Sequence, residues 1–138
     1  MTYPLAFSTW GKEEVEAIQR VINTDMYTMG KHVKQFEKEF AEMFGSPHAI
    51  MVNSGSSANL LMLSLLKWKY KLSGDIIVPV VGWATTFFPV SQNGFRLNFV
   101  DVDPNTWNID VRKIEAAITN ETCAIMPVNL LGNSCDYS

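Results

Sequence analysis

The chain has 138 residues, 47% of them apolar and 18% charged, with a formal net charge of −3. That size and apolar share allow one buried core and exclude disorder, and the slight acidity, with the Lys and Arg dispersed, excludes a basic nucleic-acid surface. Cys123 and Cys135 form neither a disulfide framework nor a metal site, no apolar run reaches membrane-spanning length and no signal-peptide pattern opens the chain, so the expectation is a soluble, cytoplasmic α/β protein with no membrane or nucleic-acid partner.

Residues 1–10 read as irregular, with Pro4 arguing against helix. Lys12 to Asn23 reads as an amphipathic helix, with Val15, Ile18, Val21 and Ile22 at helical spacing and Glu13 and Glu14 in its first turn. A loop over 24–30 leads to a second helix, Lys31 to Phe44. Its stripe of Val33, Phe36, Phe40 and Phe44 reads as core, and Gly45 supplies a stop.

Ala49 to Val52 is long enough for a short buried strand. A Ser/Gly turn over 54–57 follows, then a helix from Ala58 to Trp68. After the Ser73-Gly74-Asp75 turn, Ile76 to Val80 is continuously apolar, as expected of a strand covered on both faces. Ala84 to Gln92 reads as a short helix containing Pro89. Leu97 to Val102 is another strand, Asp103-Pro104-Asn105 a turn, Val111 to Ile118 a helix and Ala124 to Val128 a last strand. The alternation predicts a mostly parallel sheet with covering helices and right-handed crossovers. No helix follows the last strand, so residues 1–138 are expected to be the N-terminal portion of a larger domain.

Candidate chemistry concentrates on one stretch. A strand, a small-residue turn and a helix start at 49–61 would present several backbone N–H groups to an anion such as phosphate. Gly55 permits close approach, and Ser56 and Ser57 add hydroxyls. The plainer alternative is a serine that only caps the helix. Open α/β sheets place ligands at the carboxyl ends of their strands. Trp83 follows a strand there and could stack on a flat ring, although alone it is more simply a core or interface tryptophan. No GxGxxG pattern points to a dinucleotide. Lys31, Lys34, Lys38, Lys67, Lys69, Lys71 and Lys113 read as solvated helix charges, and His32 and His48 as surface or helix-end residues. Asp101 and Asp103 read as a strand-end and turn pair, not as paired catalytic carboxylates.

Five segments in order resemble the DegT/DnrJ/EryC1/StrS sugar-nucleotide enzymes, a pyridoxal-phosphate family of the aspartate-aminotransferase fold type I. They are Tyr27-Thr28-Met29-Gly30, Phe36-Glu37-Lys38-Glu39-Phe40-Ala41, Asn53-Ser54-Gly55-Ser56-Ser57-Ala58-Asn59-Leu60, Phe99-Val100-Asp101-Val102-Asp103 and Asn129-Leu130-Leu131-Gly132-Asn133. Gly82-Trp83-Ala84-Thr85-Thr86-Phe87-Phe88-Pro89, Gln92-Asn93-Gly94 and the opening Tyr3-Pro4-Leu5-Ala6 with Ser8-Thr9-Trp10 are similar to its dehydratase branch.

The resemblance implies the N-terminal part of a fold type I large domain. It implies pyridoxal 5′-phosphate or pyridoxamine 5′-phosphate as cofactor, a nucleotide-sugar substrate and a homodimer. Gly55 and Ser56, with Ser57 as a weaker candidate, would bind the cofactor phosphate. Trp83 would stack on the pyridine ring, and the loop Tyr27 to Gly30 would lie near the active site. In the dehydratase branch a histidine replaces the Schiff-base lysine and assists loss of the C3 hydroxyl. That residue and the carboxylate for the pyridine nitrogen are expected beyond residue 138, so no catalytic residue is assigned here. Three readings stand at this point: a 3-dehydratase of a GDP-4-keto-6-deoxyhexose in deoxysugar and lipopolysaccharide synthesis, a sugar 4-aminotransferase of the same family, and a non-catalytic truncated fragment.

Overall fold

The computed structural model describes Pro4 and residues 6–137; Tyr3 and Leu5 of the opening motif lie outside the described residues. The chain divides into two compact units, Met1–Met51 and Val52–Ser138.

The first unit holds α1 (Lys12–Ile22) and α2 (Lys31–Met43). At the start of α1 the Gly11 N–H donates to the Glu14 carboxylate at 2.6 Å, which holds that carboxyl below its ordinary range. The end of α2 is closed by Gly45 at φ +62°. Its N–H donates to Glu42 O and the Ser46 N–H to Ala41 O, the paired bonds of a left-handed helix stop.

The phenylalanine stripe of α2 is not core. Phe36, Phe40 and Phe44 are 49%, 44% and 66% exposed, and they stack on one another with ring centroids 5.6 and 4.6 Å apart. A helical stripe is buried only where an opposing surface exists, and Ala41 is the sole buried residue among the described residues of this unit.

The expected strand at 49–52 is also absent. Ile50 is largely exposed, and the Met51 N–H donates to the Glu37 carboxylate at 2.9 Å rather than to a ladder. A strand exists only against a neighbour, and among the described residues no strand pairs with this segment.

The second unit is a parallel sheet, β1 (Asp75–Pro79), β2 (Arg96–Val100) and β3 (Thr122–Ile125), in the order β2-β1-β3. Helix α3 (Gly55–Trp68) precedes β1, α4 (Ala84–Gln92) links β1 to β2, α5 (Val111–Ala117) links β2 to β3, and a 3₁₀ turn spans Leu130–Gly132. The sequence places β3 two residues too late and begins α3 three residues too late.

Alternation along the central strand separates two cores. Ile76 and Val78 pack with Leu63 of α3, Val90 of α4 and Phe95. Ile77 packs on the other face with Val100, Ile109 and Cys135, edged by Ile114 and Ala117 of α5. Covered on both sides, β1 needs the unbroken apolar run that its sequence shows.

The amino edge of the sheet is tied by Arg96, whose Nε meets Asp75 Oδ1 at 2.7 Å and whose Nη2 meets Glu121 Oε2 at 3.4 Å. Gly74, at φ +116°, lies against the Glu121 carbonyl so closely that any Cβ would overlap it. At the opposite edge, Asp103 accepts the Asn105 N–H and pairs with Arg112, while Asp101 pairs with Lys113. Asp101 thus stands just past the end of β2, and Asp103 in the turn that follows.

Candidate functional site

Helix α3 begins at Gly55, so the Ser/Gly segment is the first turn of the helix and not a turn before it. Ser54 is the N-cap, and its Oγ accepts the Ser57 N–H at 3.2 Å. The Ala58 N–H donates to Ser54 O. Ser57 Oγ in turn donates to Asn53 Oδ1 at 2.6 Å.

A helix start leaves four amides without intrahelical partners. Here these are the amides of Ser54 to Ser57: the Ser57 N–H is taken by the Ser54 hydroxyl, and among the described residues the Gly55 and Ser56 N–H groups meet no acceptor. A Cβ built on Gly55 would have no atom within 4 Å, so the side of the helix start at this residue is open. The capping reading holds for Ser54, and the amides of the next two residues remain without an acceptor. Ser57 has both its amide and its hydroxyl engaged, by Ser54 and Asn53.

Trp83 is the N-cap of α4, just past the carboxyl end of β1, and is 73% exposed. It is not a core tryptophan of this unit. Gly82 before it leaves room for the Phe87 ring, which a Cβ would meet at 3.0 Å, and Phe87 packs edge-on to Phe99 of β2 with centroids 5.4 Å apart.

Two hydrogen bonds hold α3 and α4 side by side. Asn59 Nδ2 donates to Thr85 O at 3.1 Å, near both helix starts. Ser64 Oγ donates to Asn93 Oδ1 at 2.9 Å, near the far end of α4. The two helices therefore run in the same sense, with their amino ends at one edge. Since α4 starts where β1 ends, that edge is the carboxyl edge of the sheet. Gly55, Ser56 and Trp83 are thus brought to the same edge without any strand at 49–52.

The sequence reading passed over Asn59. The available signal was Pro89, whose missing N–H leaves the Thr85 carbonyl, four residues earlier, in need of a donor.

The loop from Tyr27 to Gly30 belongs to the first unit, where it lines a cavity of about 480 Å³ with Val21, Lys31 and His32. Lys12 and Lys38 make one-turn surface pairs with Glu16 and Glu42, and Lys67 lies over the Phe95 ring. Among the described residues no helix is long and apolar enough to cross a membrane.

Two free amides at a helix start and an exposed indole thus stand on one edge of the sheet, the edge where open α/β sheets place their ligands. The profile of the DegT/DnrJ/EryC1/StrS aminotransferase family matches residues 8–138. The chain belongs to that family.

Among its relatives is the GDP-4-keto-6-deoxy-D-mannose 3-dehydratase of Yersinia pseudotuberculosis, 52% identical over 99% of this chain and 36% of that protein. The GDP-perosamine synthase of Caulobacter vibrioides is 36% identical over 91% of this chain and 33% of its own. A crystal structure of a GDP-4-keto-6-deoxymannose-3-dehydratase with a trapped PLP-glutamate geminal diamine superposes with a TM-score of 0.90 at 50% identity, covering 99% of this chain and 36% of that one. A putative sugar aminotransferase of Streptococcus pneumoniae in its PMP form gives 0.86 at 26% identity, over 99% and 34%. The fold is the aspartate-aminotransferase-like, fold type I arrangement expected from the sequence. The chain spans about a third of the length of the curated relatives it matches.

Proposed function

We propose that this chain is the N-terminal, cofactor-holding portion of a pyridoxal- or pyridoxamine-phosphate-dependent 3-dehydratase acting on a GDP-4-keto-6-deoxyhexose, within a homodimeric, cytoplasmic enzyme of deoxysugar synthesis. The observation that carries the proposal is the pair of unclaimed amides at Gly55 and Ser56 on the same edge as the exposed Trp83. The high identity to dehydratases supports the choice of branch.

The residues fit the cofactor. A phosphate dianion needs N–H donors and a positive helix end, and the start of α3 offers both, with open space at Gly55. The Ser56 hydroxyl would add a donor, while the Ser57 hydroxyl is already donated to Asn53 Oδ1. Trp83 would cover one face of the pyridine ring and exclude water from it. When bound, the cofactor would take up the electron pair freed by proton removal from itself and pass it on to expel the C3 hydroxyl of the sugar. None of Gly55, Ser56, Ser57 or Trp83 titrates near neutrality, so this set binds and orients while proton transfer falls to other groups.

A second reading, a sugar 4-aminotransferase, is supported by the likeness to GDP-perosamine synthase and to the putative sugar aminotransferase. One experiment separates them. The full-length protein, loaded with pyridoxamine phosphate, is given GDP-4-keto-6-deoxymannose and the product is weighed by mass spectrometry. Loss of the C3 oxygen supports the dehydratase; an amino sugar that keeps it establishes the aminotransferase. If the protein gives no product and no spectral change with pyridoxal phosphate, the chain is a non-catalytic relative.

A further inference from the structure

Pro89 lies inside α4, where it has no N–H to give to the carbonyl of Thr85. Thr85 is half-buried, and a backbone acceptor left unpaired away from water is costly. Its partner comes from another helix: Asn59 Nδ2 donates to it at 3.1 Å. Asn59 stands one turn after the Gly55–Ser56 amides on α3, and Thr85 stands two residues after Trp83 on α4. One side-chain hydrogen bond thus fixes the spacing between the two halves of the candidate site. The second clasp, Ser64 to Asn93, holds the far end. Beside the shared packing of Leu63, Phe87 and Val90, Asn59 supplies the hydrogen bond between the helices that stands nearest the candidate site.

We infer that Asn59 is a positioning residue, which uses the carbonyl released by Pro89 to align the anion-binding start of α3 with the indole-bearing start of α4. The inference rests on the cofactor reading above. The side-chain amide of Asn59 is given to the Thr85 carbonyl, and its role is to set where the groups that would hold the phosphate and the ring stand. A merely structural role would need only that the Thr85 carbonyl find some donor. The distinguishing feature is that the donor must come from α3.

The test uses the full-length protein, with pyridoxal phosphate titrated by absorbance and by its induced circular dichroism. Asn59→Ala is compared with the double variant Asn59→Ala/Pro89→Ala, in which residue 89 regains an N–H that satisfies Thr85 within α4. The double variant is expected to melt close to the unsubstituted protein, yet to bind the cofactor about tenfold more weakly and with a diminished induced signal. Recovery of affinity and induced signal together with the melting temperature would overturn the inference, as would undiminished binding by Asn59→Ala. If the unsubstituted protein takes up no cofactor, the reading of the site itself falls, and that outcome is distinct from any difference between variants.

Discussion

The hydroxyl of Ser54 accepts the amide of Ser57 at 3.2 Å, and this bond decides which amides at the start of α3 are left for a ligand. Replacing Ser54 by alanine removes the cap and lets the first turn fray. The expected loss is about 1 kcal/mol of stability, read as a lower melting temperature. Pyridoxal phosphate affinity falls too, because the Gly55 and Ser56 amides lose their fixed direction. An unchanged melting temperature with unchanged affinity would contradict this role.

Trp83 behaves in the opposite way. It is exposed and caps α4 only through its backbone, so Trp83→Ala should alter stability by less than about 0.5 kcal/mol. Cofactor affinity should weaken by roughly two- to tenfold, the worth of an aromatic stack. Trp83→Phe should recover part of it. Titration of both variants, with thermal melts as control, checks the separation of binding from folding.

Gly74→Ala tests the amino edge of the sheet. The backbone there has φ +116° and any Cβ overlaps the Glu121 carbonyl, whose oxygen also accepts the Asp75 N–H. Strain and the displaced ladder bond together should cost at least about 2 kcal/mol. Denaturant unfolding measures it, and a loss below 0.5 kcal/mol, on the order of a neutral surface change, would contradict the close packing.

The acid side of stability should depend on Asp110. It is buried, caps α5 by accepting the Arg112 N–H, and meets Arg112 Nε at 2.8 Å and Lys113 Nζ at 3.6 Å. The hydrogen bond from Arg112 is the main cause that holds its carboxyl below the usual 3.8. Asp101, bonded to Lys113, is lowered in the same sense. A carboxylate with a depressed folded pKa stabilises fully above its unfolded value and loses that contribution as pH falls through the folded one. Unfolding free energy should therefore decline below about pH 4. Asp110→Asn, which keeps the cap acceptor, should be less stable at pH 7 and converge on the parent at low pH. A constant gap across that range would contradict the linkage.

Legibility followed periodicity and local chemistry. The continuous run Ile76 to Val80 and the alternation of helix and strand revealed a parallel sheet, because a strand covered on both faces has no polar register to keep. Asp103-Pro104-Asn105 and Gly45 announced their turns through backbone preferences that need no distant partner. Ala49 to Val52 misled because apolarity states what a segment can bury, not whether a neighbour is there to pair with it. Phe36, Phe40 and Phe44 misled for the same reason on a helix. The start of α3 was misplaced because Gly and Ser are poor helix residues in the interior but are tolerated in a capped first turn. Asn59 escaped notice because its role depends on a proline in the next helix.

The account centres on the Gly55 and Ser56 amides as the seat of a cofactor phosphate, with Trp83 against the ring. A crystal structure of the full-length protein with pyridoxal phosphate tests this most directly. The account predicts phosphate oxygens within hydrogen-bond distance of both amides and the pyridine ring parallel to the indole. A cofactor phosphate bound away from the start of α3, or a ring that leaves Trp83 in solvent, would contradict it.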